Sequence, residues 1–247
     1  GAIGEVRSAR TWYVNARGSI GRGKPVPVPA NIDYDLWQGP APERPYVDNL
    51  VHYNWHWRWH WGGGEIANNG PHAFDLARWG LGVECPIRVT CGGGRYHFDD
   101  DQETPDTTVA TADFGSKLLI WDGSSCHPRN NENLPFVAWY GSNGSMAIYG
   151  NGYRVYDPKG KQVSEGTGPG GDKSHIENFL KSIRGKAKPN SEIAVGQTST
   201  LLCHLSNIAY RTGHTIQFDP VARKIVGDKA AEKLWGREYR KGWEPKV

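Results

Sequence analysis

The sequence predicts an α+β fold: a largely antiparallel open sheet with helices packed on one face. Two observations predict it. Between Thr107 and about Val163, short runs of β-branched, aromatic and other apolar residues are joined by tight turns, two of them Asn-Gly. Outside that stretch, apolar residues recur at helical spacing in segments of their own. Successive hairpins give antiparallel pairing, because parallel strands need a long crossover. Helices set apart from the strands then give α+β layers.

The first strand candidate is Glu5–Val14. Gly18–Pro45 is rich in Gly and Pro and reads as a long ordered loop, of the kind that is functional or wraps a partner. A helix carrying His72 starts between Ile66 and Pro71 and runs to about Gly80, with Ala73, Phe74, Ala77 and Leu81 as its apolar stripe. Pro71 fits only in its first turn. Arg88–Cys91 is a further strand.

The hairpin region follows. Thr107–Phe114 turns through Gly115-Ser116 into Lys117–Trp121. Phe136–Tyr140, Met146–Tyr149 and Tyr153–Tyr156 are separated by Asn143-Gly144 and Asn151-Gly152. Asn-Gly between such runs is a strong hairpin signal, since both turn positions favour positive φ. Two more helices complete the chain. Asp172 caps one with Ile176, Phe179, Leu180 and Ile183 on a single face, and Gly185 stops it. The other runs from about Ser191 to Arg211, faces the core with Leu201, Leu202, Leu205, Ile208 and Ala209, and ends at Gly213. A tail from Gly227 to Val247 holds a charged helix, Ala230–Arg240.

Composition narrows the function classes. Eleven Trp and 11 Tyr in 247 residues suit a carbohydrate-facing cleft, because sugar C–H faces pack on rings. The net charge of +3 is spread along the chain with no basic run, so no nucleic-acid partner is expected. No apolar stretch approaches the roughly 20 residues of a membrane span, and no membrane partner is expected. Cys85, Cys91, Cys126 and Cys203 are scattered without a C-x-x-C pair and read as free thiols. The chain opens on Gly1-Ala2-Ile3-Gly4 with its one Met far inside, at Met146, and reads as part of a longer protein.

Three segments are candidates for chemistry. In the run His52–Trp61, helical spacing would bring His52, His56 and His60 together as metal ligands. The strict alternation of ring and polar residue favours an extended reading instead. Trp55, Trp57, Trp59 and Trp61 then back a wall of Asn54, His56, Arg58 and His60. The second segment is Gly62-Gly63-Gly64-Glu65-Ile66-Ala67-Asn68-Asn69-Gly70-Pro71-His72-Ala73-Phe74-Asp75. Three glycines permit a sharp bend and a close approach to a ligand. Asn68 and His72 lie four apart on one side of a helix, with Asp75 three further on. His72 is the natural acid/base, since imidazole titrates near neutral pH. The third, Gly166–Gly171, matches G-x-G-x-x-G, but no buried strand feeds it and no parallel strand follows, so it reads as a flexible loop. Asp99-Asp100-Asp101 reads as a solvated acidic loop.

The stretch GGGEIANNGPHAFDLARWGL at 62–81 resembles the signature of the Gfo/Idh/MocA oxidoreductases, in particular a bacterial subgroup with a Trp-rich segment before the glycines. The opening GAIGEV resembles the point where that family leaves its nucleotide domain, and DYDLWQGPAP, HIENFLKSIRGKAKP and HLSNIAYRTG resemble further stretches of that subgroup. The resemblance implies a two-domain enzyme in which an N-terminal Rossmann domain binds NAD or NADP and supplies a lysine from an E-K-P motif. Residues 1–247 would form one C-terminal domain for substrate binding and oligomerisation, partnered by that Rossmann domain and by further copies through its sheet face. It implies His72 as catalytic acid/base at the carbon that loses hydride. Asn68 stands where the family usually has Asp; an amide takes no proton and can only orient substrate or His72. Asn15, Arg17, His56, Arg58, His60 and Asp75 are the expected substrate contacts, from polarity and position. The expected reaction is NAD(P)-dependent oxidoreduction of a sugar, sugar derivative or polyol. The alternatives are redox-assisted glycoside cleavage and a cofactor-free sugar-binding or assembly module.

Overall fold

The computed structural model describes residues 1–168 and 171–246. One ten-stranded sheet organises them. In chain order its strands are β1 (Val6–Val14), β2 (Arg88–Gly94), β3 (Thr107–Asp113), β4 (Leu118–Ser124), β5 (Val137–Gly141), β6 (Gly144–Tyr149), β7 (Gly152–Tyr156), β8 (Gln162–Thr167), β9 (Ile216–Asp219) and β10 (Lys224–Ile225). Their spatial order is β10-β9-β2-β3-β4-β1-β5-β6-β7-β8. Every pairing is antiparallel except that of β1 with β4, which run parallel from Ser8↔Leu118 to Val14↔Ser124. The expected α+β class is therefore the observed one.

The helices are α1 (Tyr34–Gln38), α2 (Gly64–Asn68), α3 (Gly70–Leu81), α4 (Asp172–Ile183), α5 (Ile193–Thr212) and α6 (Lys229–Trp235). Helices α3 and α5 pack on each other and on one face of the sheet, α3 over β1 and β5, α5 over β2. The apolar stripes read from sequence are the ones buried: Ala73, Phe74, Ala77 and Leu81 in α3, and Leu201, Leu202, Leu205, Ile208 and Ala209 in α5. They meet Ala9, Val89, Leu119, Trp121, Val137 and Trp139 from the strands. Period-two alternation decides which strand residues face them: in β3, Thr108, Ala110 and Ala112 are buried while Val109 is 48% exposed. Gly82 and Gly213 end α3 and α5 in the left-handed conformation.

Two smaller clusters lie outside this core. Trp12, Ala138 and Ala147 gather with Leu134, Tyr149 and Tyr156 on the sheet face opposite the helices. Tyr34, Tyr46 and Leu50 gather with Trp37, Trp55 and Trp61 within the segment before α2.

Several expectations need correction. The run His52–Trp61 is not extended. Asn54–Trp57 forms a 3-10 turn, and Trp55, His56, Arg58 and Trp61 all donate backbone hydrogen bonds to carbonyls within residues 50–58. A strand needs a neighbour for its ladder; this run makes local turns instead, with Trp57 O accepting from Glu103 N and Thr104 N, and its rings point to different partners. Trp57 is fully buried, Trp61 meets Trp37, and Trp59 meets Tyr210. The acidic loop is not simply solvated. Asp100 is buried and accepts from Ser19 Oγ, Ile20 N and Gln102 N, Asp101 is half-buried, and Asp99 is exposed. Gly166 and Thr167 end the edge strand β8, while residues 169 and 170 of the expected flexible loop lie outside the described residues. The final helix stops at Trp235, short of Arg240, whose backbone N–H donates to Pro40 O and whose guanidinium pairs with Asp35.

Candidate active site

The glycine run does what its composition suggests. Gly64 has φ +66°, and a Cβ there would lie 2.6 Å from the Thr104 side chain, so the chain can turn into α2 only without a side chain at this point. Helix α2 then runs almost directly into α3. Asn69 keeps right-handed helical angles, its N–H reaches Glu65 O at 2.9 Å, and Ala73 N reaches Asn69 O at 3.4 Å. Across this joint Glu65, Asn68, Asn69 and His72 follow i, i+3, i+4, i+7 spacing, which is one face of a helix.

That face runs from buried to open. Glu65 is 5% exposed, Asn68 and Asn69 are half-buried, and His72 is exposed on the first turn of α3. Among the described residues the His72 ring has no hydrogen-bond partner. Burial pushes the Glu65 carboxyl above the usual carboxylate range. The Asn69 amide bonded to it, the Arg17 charge and the Asn68 amide offset only part of that.

The end of β1 supplies a second row. Tyr13, Asn15 and Arg17 alternate in sequence. Tyr13 lies parallel to Trp121, with ring centroids 6.4 Å apart, and its hydroxyl accepts from Asn15 Nδ2 at 3.1 Å. Burial, then the neighbouring Glu65 charge, pushes the Tyr13 phenol up. Arg17 Nη2 donates to Gln102 Oε1 at 2.7 Å and Ser125 Oγ at 3.2 Å, with Cζ 3.8 Å from the Trp57 ring centroid. Arg17 Nε and Nη1 are buried without a partner among the described residues.

So the structure brings Asn15, Arg17 and Asn68 into the surroundings of Glu65, with His72 at the open end of the same helical face. The other four expected contacts have partners inside the chain. His56 pairs through Nδ1 with Tyr53 O at 2.5 Å and stacks on Trp55. Arg58 donates to Asn49 Oδ1 at 2.8 Å and Asp101 Oδ2 at 3.1 Å. His60 Nε2 meets Pro42 O at 2.6 Å, and burial pushes its pKa down. Asp75 accepts from Ser199 Oγ at 2.6 Å. Glu65, Asn69 and Tyr13 were not singled out from sequence. The signal was there for two of them: Glu65 sits seven residues before His72, and Tyr13 shares the alternation of Asn15 and Arg17.

Among the described residues no group of three His, Cys, Asp or Glu side chains is placed to hold a metal ion. Two surface cavities lie away from His72. One is lined by Tyr149, Tyr153, Arg154 and Glu165, the other by Asp33, Leu36, Trp37 and His52.

The family described as "Oxidoreductase family, C-terminal alpha/beta domain" in the Gfo/Idh/MocA group matches residues 7–245. The chain belongs to this family. Solved structures share the fold of this Gfo/Idh/MocA domain at low sequence identity. The aldose-aldose oxidoreductase of Caulobacter crescentus, complexed with glycerol, superposes with a TM-score of 0.62 at 15% identity, over 88% of this chain and 57% of its own. The WlbA dehydrogenase of Bordetella pertussis, in complex with NADH and UDP-GlcNAcA, gives 0.56 at 16%, over 88% and 56%. An NAD-binding protein of Listeria innocua gives 0.57 at 15%, over 87% and 56%. The chain thus spans less than two thirds of each of these structures. No curated protein matches it in sequence. Among the described residues, no helix is long and apolar enough to cross a membrane.

Proposed function

We propose that residues 1–247 act as one substrate-binding and oligomerisation domain of an NAD(P)-dependent oxidoreductase acting on a sugar, sugar derivative or polyol. One observation carries the reading. In a family of oxidoreductases, the His72 imidazole stands free at the open end of a polar helical face, where it can exchange a proton with a bound hydroxyl. His72 takes up the hydroxyl proton as the carbinol becomes a carbonyl. Asn68, an amide, orients the substrate or the imidazole by hydrogen bonding.

The nicotinamide cofactor belongs to the proposal, but this chain's described residues offer it no dinucleotide cradle. A cradle needs a strand, a glycine turn and a helix closing a parallel βαβ unit. Here Gly166 lies within the antiparallel edge strand β8, and the one parallel pair, β1 with β4, is connected through α3, β2 and β3. The nucleotide is therefore assigned to a further domain. Self-association is assigned to the sheet face opposite α3 and α5. There Val109, Leu118 and Tyr140 are exposed and Arg10 lies over Trp12 at 5.1 Å, a mixture of aromatic, Arg and apolar groups that suits an interface core.

The test is His72→Ala in the complete enzyme. Single-turnover oxidation of a sugar substrate slows by about two to four orders of magnitude, the usual worth of a positioned acid/base. Unchanged single-turnover rates remove His72 from the chemistry.

A further inference from the structure

Glu65 is a carboxyl group in a place that disfavours one. It is buried, on the second residue of α2, and burial of an acid is unfavourable unless hydrogen bonds or an opposite charge meet it. The backbone around it is fixed. Gly63 O accepts from Asn207 Nδ2 at 2.8 Å, and the turn at Gly64 packs on the buried Thr104 side chain, so residue 65 is carried inward. Arg17 acts on the carboxyl through space, because the bonds of its guanidinium go to Gln102 and Ser125.

The groups that do bond it are the two amides of the candidate catalytic face. Asn69 Nδ2, four residues on, donates to Glu65 Oε1, and the Asn68 amide, three residues on, adds a weaker hydrogen bond to the same carboxyl. A primary amide has a donor end and an acceptor end. A carboxyl oxygen that accepts its N–H takes up the donor end and leaves the carbonyl end for the other side. For Asn68 that other side runs toward His72, four residues further along the same face.

We propose that Glu65 is a positioning residue for the reaction: by holding the Asn68 amide through its N–H, it turns Asn68 Oδ1 toward the substrate hydroxyl and the His72 imidazole. Glu65 itself touches neither substrate nor cofactor. It decides which end of Asn68 meets them, an acceptor and not a donor. Without that hold the amide is free to rotate, and half of its orientations offer an N–H where an acceptor is needed. The inference rests on the oxidoreductase function proposed above, and adds to it a residue that acts through another.

A double-mutant cycle in the complete enzyme tests it, with single-turnover oxidation of sorbitol and of D-glucose as the probes. Glu65→Leu, an apolar side chain in a buried place, slows turnover about tenfold, a moderate loss for a displaced group. Glu65→Gln keeps a carbonyl oxygen that can accept the same N–H, and stays within about threefold of the parent. In an Asn68→Ala background, Glu65→Leu slows turnover no further. A Glu65→Leu enzyme as fast as the parent overturns the inference, and so does equal slowing in the two backgrounds. A second measurement needs no substrate. Solvent exchange of the Asn68 side-chain amide, read by nitrogen-15 NMR on the ligand-free protein, becomes at least tenfold faster in Glu65→Leu; an unchanged rate overturns the inference whatever the activity. His72→Ala leaves that exchange rate as it is in the parent, so failure of the acid/base reading and failure of this one are seen separately.

Discussion

The Arg17 guanidinium lies over the Trp57 indole, with Cζ 3.8 Å from the ring centroid. The contact joins the end of β1 to the 3-10 turn that precedes the glycine bend, so it fixes where α2 begins relative to the sheet. Trp57 is fully buried. Trp57→Ala should cost about 3–5 kcal/mol, as large-to-small core changes do, and Arg17→Ala about 1–3 kcal/mol through the orphaned Gln102 and Ser125 groups. Urea unfolding followed by circular dichroism measures both. A Trp57→Ala midpoint equal to the parent's would show that the stack contributes nothing.

Glu65 makes stability depend on pH in an unusual direction for a carboxyl group. Burial raises its folded pKa above the ordinary 4.5. The folded chain therefore holds this proton more tightly than the unfolded chain does. The contribution is fully present below pH 4.5 and is lost as the pH rises through the folded value. Glu65→Gln, which cannot ionise, should gain on the parent as the pH goes from 4 to 7. Thermal midpoints across that range check it; a constant difference refutes it.

Asp106 works the other way. Burial pushes its carboxyl up, but Thr107 Oγ1, the His97 ring and the backbone N–H groups of Tyr96 and His97 outweigh it and hold it below 3.8. Its contribution is present above pH 3.8 and disappears as the pH falls through the depressed folded value. Asp106→Asn should lose stability at pH 7, by about 1.5–3 kcal/mol for hydrogen bonds to a charged group. The deficit should shrink in acid.

Gly80 tests how closely α3 lies on the sheet. A Cβ at this position would strike the Trp139 indole, whose Nε1 donates to Ala77 O at 3.1 Å one turn earlier on the same helix. Gly80→Ala gains helix propensity yet should lose about 1–3 kcal/mol through overpacking. Should the variant prove more stable than the parent, the α3–β5 contact is looser than described.

Much of the fold was legible because its signals are local. Asn143-Gly144 and Asn151-Gly152 announced β5 to β7, and the stripes of α3 and α5 announced which faces they bury. The Trp-rich run misled, because alternation of ring and polar residue also arises where rings seek partners on several sides. Asp100 misled for a related reason: its partners, Ser19 and Ile20, lie some eighty residues earlier, and only the folded chain brings them together. At the candidate site, His72 is singled out by its glycine-rich setting and its family resemblance. Glu65 was not singled out, since the Arg17 charge that reaches it comes from a distant part of the chain.

The side-by-side run of β1 and β4 has a consequence for how the molecule is born. The strand in the middle of the sheet emerges first, and its neighbours, from Leu118 and from Val137 onward, follow only after a long intervening stretch has been synthesised. Until then β1 has both edges bare, an invitation to wrong pairing. Removal of residues 1–12 would lose the hinge between two half-sheets, and each half would be left with a new sticky margin. Slow maturation and a need for protection during synthesis follow from pairings so remote in sequence.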